Sequence, residues 1–152
     1  MMKKIDDSKT VENNEMLEEK FKSERTEWNT KIGELLNDIK ANGKLAETQA
    51  YALSYRQMLV EKMTQYRIIL HKRATQYDKV RVERLTQYMT EGDYKLSGAE
   101  RADFVSADYA AMRMQMNMFQ DQIDWISETL QTLSNLQFAI KNKIELIKEE
   151  IF

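Results

Sequence analysis

The sequence predicts an all-α fold, and three observations carry that prediction. Proline is absent and glycine occurs four times in 152 residues, so few positions punctuate strands or tight loops. Glu, Lys, Gln, Met, Leu and Ala, all good helix formers, are abundant. Apolar residues recur at steps of three and four over long windows. The expected architecture is a long helical hairpin with coiled-coil-like packing and a shorter N-terminal helix, self-associating through the C-terminal helix. Residues 1–28 are expected to form an acidic, partly disordered N-terminal extension, and residues 29–152 a helical domain.

The first helical pattern runs through Leu17, Phe21, Trp28, Ile32, Leu35 and Ile39. Glu24 and Arg25 interrupt it, and the polar residues 1–14 before it are expected to fray. The stretch IKANGK reads as a stop, with Gly43 suited to a left-handed C′ position and Lys40 and Lys44 near the negative end of the helix dipole. A second helix is expected from about Leu45 to Glu91, with Gly92 as its C′ residue. After the connection GDYKLS, Ser97 and Glu100 stand in the spacing of a capping box. From there a third helix is expected to run almost to the C-terminus.

That third helix has the clearest pattern. Tyr109, Met116, Ile123, Leu130, Gln137, Ile144 and Ile151 lie seven apart, as do Val105, Met112, Phe119, Ile126, Leu133, Ile140 and Ile147. The two series interleave by three and four, which is a heptad seam. Met112, Met116, Phe119, Ile123, Ile126, Leu130, Leu133, Ile140, Ile144 and Ile147 are therefore the candidate self-association residues. A flanking stripe of Met118, Trp125, Ala139 and Leu146 gives the helix more than one neighbour to satisfy. Gln137 is the polar member of the seam; it either sets register or is a satisfied amide near a helix end.

Charge separates the chain into three. Residues 1–50 hold nine Lys/Arg and eleven Asp/Glu, residues 51–90 hold eight and three, and residues 91–152 hold six and eleven. The middle segment is thus +5 between segments of −2 and −5. Such asymmetry points to an anionic partner or to helix pairing within the protein. The same segment repeats itself: Thr64-Gln65-Tyr66 returns as Thr75-Gln76-Tyr77 and Thr86-Gln87-Tyr88, with Tyr55 eleven residues before Tyr66. Eleven residues are about three helical turns, so the four tyrosines drift by only ~20° per step. Lys62, Arg73 and Arg84 each follow a tyrosine by seven and fall near the same line.

A line of rings and cations suits single-stranded nucleic acid, in which phosphates meet cations and unpaired bases stack on aromatic faces. The candidate contacts are Lys62, Arg67, Lys72, Arg73, Lys79, Arg81 and Arg84 for phosphate, and Tyr66, Tyr77 and Tyr88 for bases. The competing arrangement packs the tyrosines into a helix interface with the cations at its rim. Met58, Ile69 and Val80 on one side, and Leu59 and Leu70 on the other, fit that arrangement.

No catalytic constellation is expected, and no cofactor. Cysteine is absent, His71 is the single histidine, and no glycine-rich phosphate loop occurs. The opening MMKKIDDSKTVENNEM lacks the apolar core of a secretory signal, and no run approaches the roughly 18 apolar residues of a membrane span. An intracellular protein without a membrane partner is the expectation.

The run RLTQYMTEG, followed by DFVSADYAAMRMQMNMFQDQIDWISETLQTLSNLQFAIKNKIELI, resembles the UvsY-like recombination mediators of tailed bacteriophages. In that family a basic helix ends in an Arg/Lys–aromatic–Tyr–x–Gly stretch. A Ser-Ala-Asp-like or Asn-Ser-Asp-like helix start follows, and a long C-terminal helix ends in an aromatic-x-Ile-Lys-x-x-Ile run. Phe138-Ala139-Ile140-Lys141-Asn142-Lys143-Ile144 matches the last of these. The resemblance covers roughly residues 32–151 and is sharpest in the last third. Arg81 and Arg84, before Leu85 and Tyr88, match the family's DNA-binding stretch. Glu83 interrupts it, Gln87 replaces the first aromatic, and two extra residues precede Gly92.

What the resemblance implies is a DNA-binding and oligomerisation domain over residues 29–152, with no enzymatic activity. Such a protein binds single-stranded DNA as a hexameric or heptameric ring. It helps a RecA-like recombinase displace single-strand-binding protein, in phage recombination, repair and recombination-dependent replication in the cytoplasm of the infected host. The alternative is a structural coiled-coil or virion scaffold protein without nucleic-acid binding.

Overall fold

The computed structural model describes residues 2–41, 43–92 and 96–151. They form four helices: α1 (Ser8–Lys40), α2 (Leu45–Thr90), α3 (Gly98–Asp108) and α4 (Ala110–Ile151). Among the described residues there is no strand, and no helix is long and apolar enough to cross a membrane. The all-helical expectation holds, with two differences.

The first helix is shorter than α2 and α4, as expected, but it starts earlier than the apolar pattern suggests. It begins at Ser8, because Asp6 supplies what the first turn lacks. The Ser8 amide and hydroxyl both donate to Asp6 Oδ1, at 3.1 and 2.7 Å. These bonds hold the Asp6 carboxyl below its usual range. Within this supposedly frayed stretch, Asn14 is buried and its Nδ2 donates to Ala111 O at 2.8 Å.

The second difference is a break in the expected third helix. Tyr109, at φ −112° and ψ 27°, ends α3, and α4 starts at the next residue. Arg113 reaches back over the break, its Nε donating to Ser106 O at 3.1 Å, one of the carbonyls a helix end leaves without an intrahelical partner. Ser97 caps α3 as expected, accepting from the Glu100 amide at 3.2 Å. The preceding connection lies partly outside the described residues. At the α1–α2 turn the left-handed backbone is at Lys44 (φ 42°). Gly92 follows α2 without a positive φ; it is needed because a Cβ there would sit 2.6 Å from Tyr88 O.

The chain forms two compact units. The first comprises Met1–Glu19 and Arg67–Asp121, the second Lys20–Tyr66 and Gln122–Phe152.

In the second unit three helices bury lines of residues seven apart. α1 contributes Phe21, Trp28 and Leu35, α2 contributes Leu45, Ala52, Leu59 and Tyr66, and α4 contributes Ile126, Leu133 and Ile140. Each fully buried Leu or Ile stabilises by about 1.5–3 kcal/mol. The companion line on α4 is Gln122, Thr129 and Leu136, all buried, followed by Lys143, whose Nζ donates to Ile39 O at 2.6 Å. This line lies one residue before the predicted Ile123–Leu130–Gln137–Ile144 series.

The heptad period is therefore right, but half of the seam is rotated. The sequence hid the true line because three of its four members are polar. Glu24 and Arg25, which interrupt the apolar pattern of α1, meet Gln122 in a polar layer. Arg25 Nη1 donates to Gln122 Oε1 at 2.7 Å, and Gln122 Nε2 to Glu24 Oε1 at 3.3 Å and Phe21 O at 3.4 Å.

In the first unit Val105, Ala111, Asn14 and Arg84 are buried. Rings from α2 pack on rings at and before the α3–α4 break, Tyr77 on Tyr109 and Tyr88 on Phe104.

Candidate nucleic-acid interface

The basic helix α2 turns two chemically different faces to its surroundings. All four ladder tyrosines point inward. Tyr55 meets Trp28 edge-on at 5.4 Å, and Tyr66 meets Phe21 at 5.1 Å. Tyr77 meets Tyr109 at 6.5 Å, and Tyr88 stacks on Phe104 at 5.8 Å. Aromatic pairs in these arrangements contribute about 0.5–1.5 kcal/mol beyond area burial. The hydroxyls find carboxylates: Tyr66 donates to Glu24 Oε2 and Tyr88 to Asp108 Oδ2, both at 2.6 Å. Burial, followed by the neighbouring carboxylate, raises both phenols above their ordinary value. Tyr66, Tyr77 and Tyr88 were candidates for base stacking. The structure places them in helix contacts instead, because each has an aromatic neighbour to pack on.

Arg84 is likewise withdrawn. It is 6% exposed. Its Nε donates to Asp108 Oδ2 at 3.0 Å, its Nη1 to Gln87 Oε1 at 2.9 Å and its Nη2 to Lys3 O at 2.8 Å. It also lies over the Tyr88 ring, at 5.3 Å. A planar fork bonded on three sides ties Lys3 to α2 and α3, and its burial takes it away from any phosphate at the surface. Lys62 is half-engaged, 3.8 Å from Glu24 and 5.8 Å from the Tyr66 ring. Arg81 is half-buried and 3.9 Å from Asp78.

Four of the candidate cations remain exposed and free of carboxylates among the described residues: Arg67, Lys72, Arg73 and Lys79. Arg73 touches Gln76 at 3.4 Å. Lys72 and Lys79 belong to an outward stripe of Ile68, Lys72, Thr75, Lys79, Val82 and Thr86, spaced by four and three and exposed throughout. Thr75 and Thr86 return their hydroxyls to His71 O and Val82 O. The stripe contains no acid and no aromatic residue. Chemically it offers phosphate contacts flanked by aliphatic surface, without a stacking platform.

The candidate self-association residues are divided as well. Phe119, Ile123, Ile126, Leu133 and Ile140 are buried within the single chain and cannot meet a second copy while it stays folded. Met112, Met116, Leu130, Ile144 and Ile147 are half-buried, and the side chain of Ile151 lies outside the described residues. Leu146, from the side stripe, is exposed. Among the described residues no three His, Cys, Asp or Glu gather as metal ligands, and His71 is exposed.

One surface feature was missed by reading α2 alone. In the second unit Phe138, on α4, stands exposed beside Leu53 and Arg56 of α2. Its sequence signal was its position just outside the heptad seam.

No protein-family profile, curated protein or solved structure matches this chain.

Proposed function

We propose that this protein binds single-stranded DNA without catalysing a reaction, using the outward stripe of α2 in the first unit. One observation carries the reading. In a segment of eight cations and three acids, Lys62, Arg81 and Arg84 meet carboxylates, yet Arg67, Lys72, Arg73 and Lys79 are exposed and lack acidic partners among the described residues. Surface balance does not require that excess, and an anionic polymer would use it.

Preference for single strands rests on the resemblance to the UvsY-like family, as does the further role of loading a RecA-like recombinase in competition with single-strand-binding protein in an infected host's cytoplasm. Ring assembly, if it follows the family, uses the uncovered end of α4 around Ile144, Leu146 and Ile147 rather than the buried seam.

The test is a combined Arg67→Ala, Lys72→Ala, Lys79→Ala variant, titrated with a labelled single-stranded oligonucleotide at several salt concentrations. Each lost phosphate contact lowers the log–log salt slope by about 0.7. The variant is expected to bind more weakly with a slope reduced by about 2. Binding equal to wild type would remove this stripe from the site.

A second reading is favoured by a different observation. Lys62 with Glu24 and Arg84 with Asp108 show basic α2 meeting acidic side chains inside the protein. A structural helical protein would have the same internal pairs and no affinity for DNA.

A further inference from the structure

We infer that the groove between α2 and α4 in the second unit is a nucleobase-stacking site, with Phe138 as its platform and Arg56 and Lys141 as its phosphate contacts. The inference rests on the single-strand reading above and supplies what the α2 stripe lacks. The groove is open to solvent and offers about 430 Å³ of space. Phe138 is 66% exposed and Leu53 55%. Two large, exposed apolar side chains thus line one open groove. Arg56 and Lys141 line it as well, both exposed, and neither has a carboxylate partner among the described residues. Among the described residues no Asp or Glu lines the groove. Gln49 and Gln137 line it too, and an amide can donate to or accept from the edge of any base.

The combination selects its occupant by chemistry. A purely apolar surface would bury Phe138 and Leu53 but would strand two cations without counter-charge. A nucleotide in a single strand satisfies all three groups. Its base covers the ring, its phosphates approach Arg56 and Lys141, and its exposed edge reaches the amides. A duplex keeps its bases stacked on each other and cannot offer a face to Phe138, so the groove also favours single strands over duplex. Stacking of this kind tolerates any base. Gln137, expected in the sequence to set register or to be a satisfied amide, acquires a ligand-facing role.

The experiment compares two labelled single strands of equal length, one of thymidylates and one of abasic residues, binding to wild type, Phe138→Ala and Phe138→Trp by fluorescence anisotropy. Light scattering and a thermal melt on each protein control for assembly and folding. The removed ring is exposed, so the melt should not move. Wild type is expected to prefer thymidylate by about tenfold, a typical worth of one or two stacked bases. Phe138→Ala should lose most of that preference while keeping its affinity for the abasic strand, and Phe138→Trp should restore it. If wild type binds DNA and Phe138→Ala shows the same preference, the groove is not a base site and the α2 reading survives. If Phe138→Ala changes particle mass but not the preference, the groove is a contact between copies and the inference is overturned. If wild type binds neither strand at low salt, the inference and the reading beneath it both fail.

Discussion

Glu24 accepts a hydrogen bond from the Tyr66 hydroxyl at 2.6 Å in a buried corner, and pH can test what that bond contributes. Burial and the carboxylate raise the folded phenol above the value near 10 that it has in an unfolded chain. Below about pH 10 both states hold the proton, and the stabilisation is fully present. Above it the unfolded chain loses the proton first, so unfolding is favoured as pH rises. The urea midpoint should therefore fall between about pH 9 and pH 11, and Tyr66→Phe should flatten the fall while lowering the midpoint at neutral pH. A parallel fall in both proteins would mean that the phenol is not held protonated. Tyr88 and Tyr109, also raised by burial, leave some alkaline slope in the variant. The buried Arg84–Asp108 pair makes a second test. Arg84→Ala removes the cation beside half-buried Asp108, which keeps its bond from Tyr88, and should cost about 2 kcal/mol in urea unfolding. Lys79→Ala, on the outward stripe, should stay within about 0.5 kcal/mol. Equal effects would contradict the division of α2 into inner and outer faces.

At the scale of the element, the sequence makes period legible but not phase. The heptad spacing of α4 is real, since burial follows it, and each tyrosine of the eleven-residue ladder of α2 packs on another ring. Apolar character alone placed half of the α4 seam one residue late, because Gln122, Thr129 and Lys143 occupy a buried line without being apolar. The partners of Gln122 and Lys143, namely Arg25, Glu24 and the Ile39 carbonyl, come from a helix about a hundred residues away, a coincidence no local window contains. The basic line failed for the related reason that Arg84 looks like any other cation until Asp108 and Lys3 are seen around it. The helix break at Tyr109 had no glycine or proline to announce it. Leu133, fully buried on the shared line, should cost about 2–5 kcal/mol when changed to alanine. Leu130→Ala, half-buried on the displaced line, should cost less, and a reversal of that order in urea unfolding would restore the original seam.

For the molecule as a whole, charge and apolar surface were legible in amount and hidden in placement. Of the eight cations in residues 51–90, Lys62, Arg81 and Arg84 have carboxylate partners, which leaves five without one among the described residues. Four of those five were singled out from sequence, and the fifth, Arg56, belongs to the Phe138 groove. The central claim is that this surplus serves a single strand. It is tested most directly by measuring, side by side, the affinity of the full chain for a labelled single strand and for a duplex of the same length across a range of salt. Binding that prefers the single strand and weakens steeply with salt is the predicted result. A folded protein that binds neither at low salt would contradict the account and leave a structural helical role in its place.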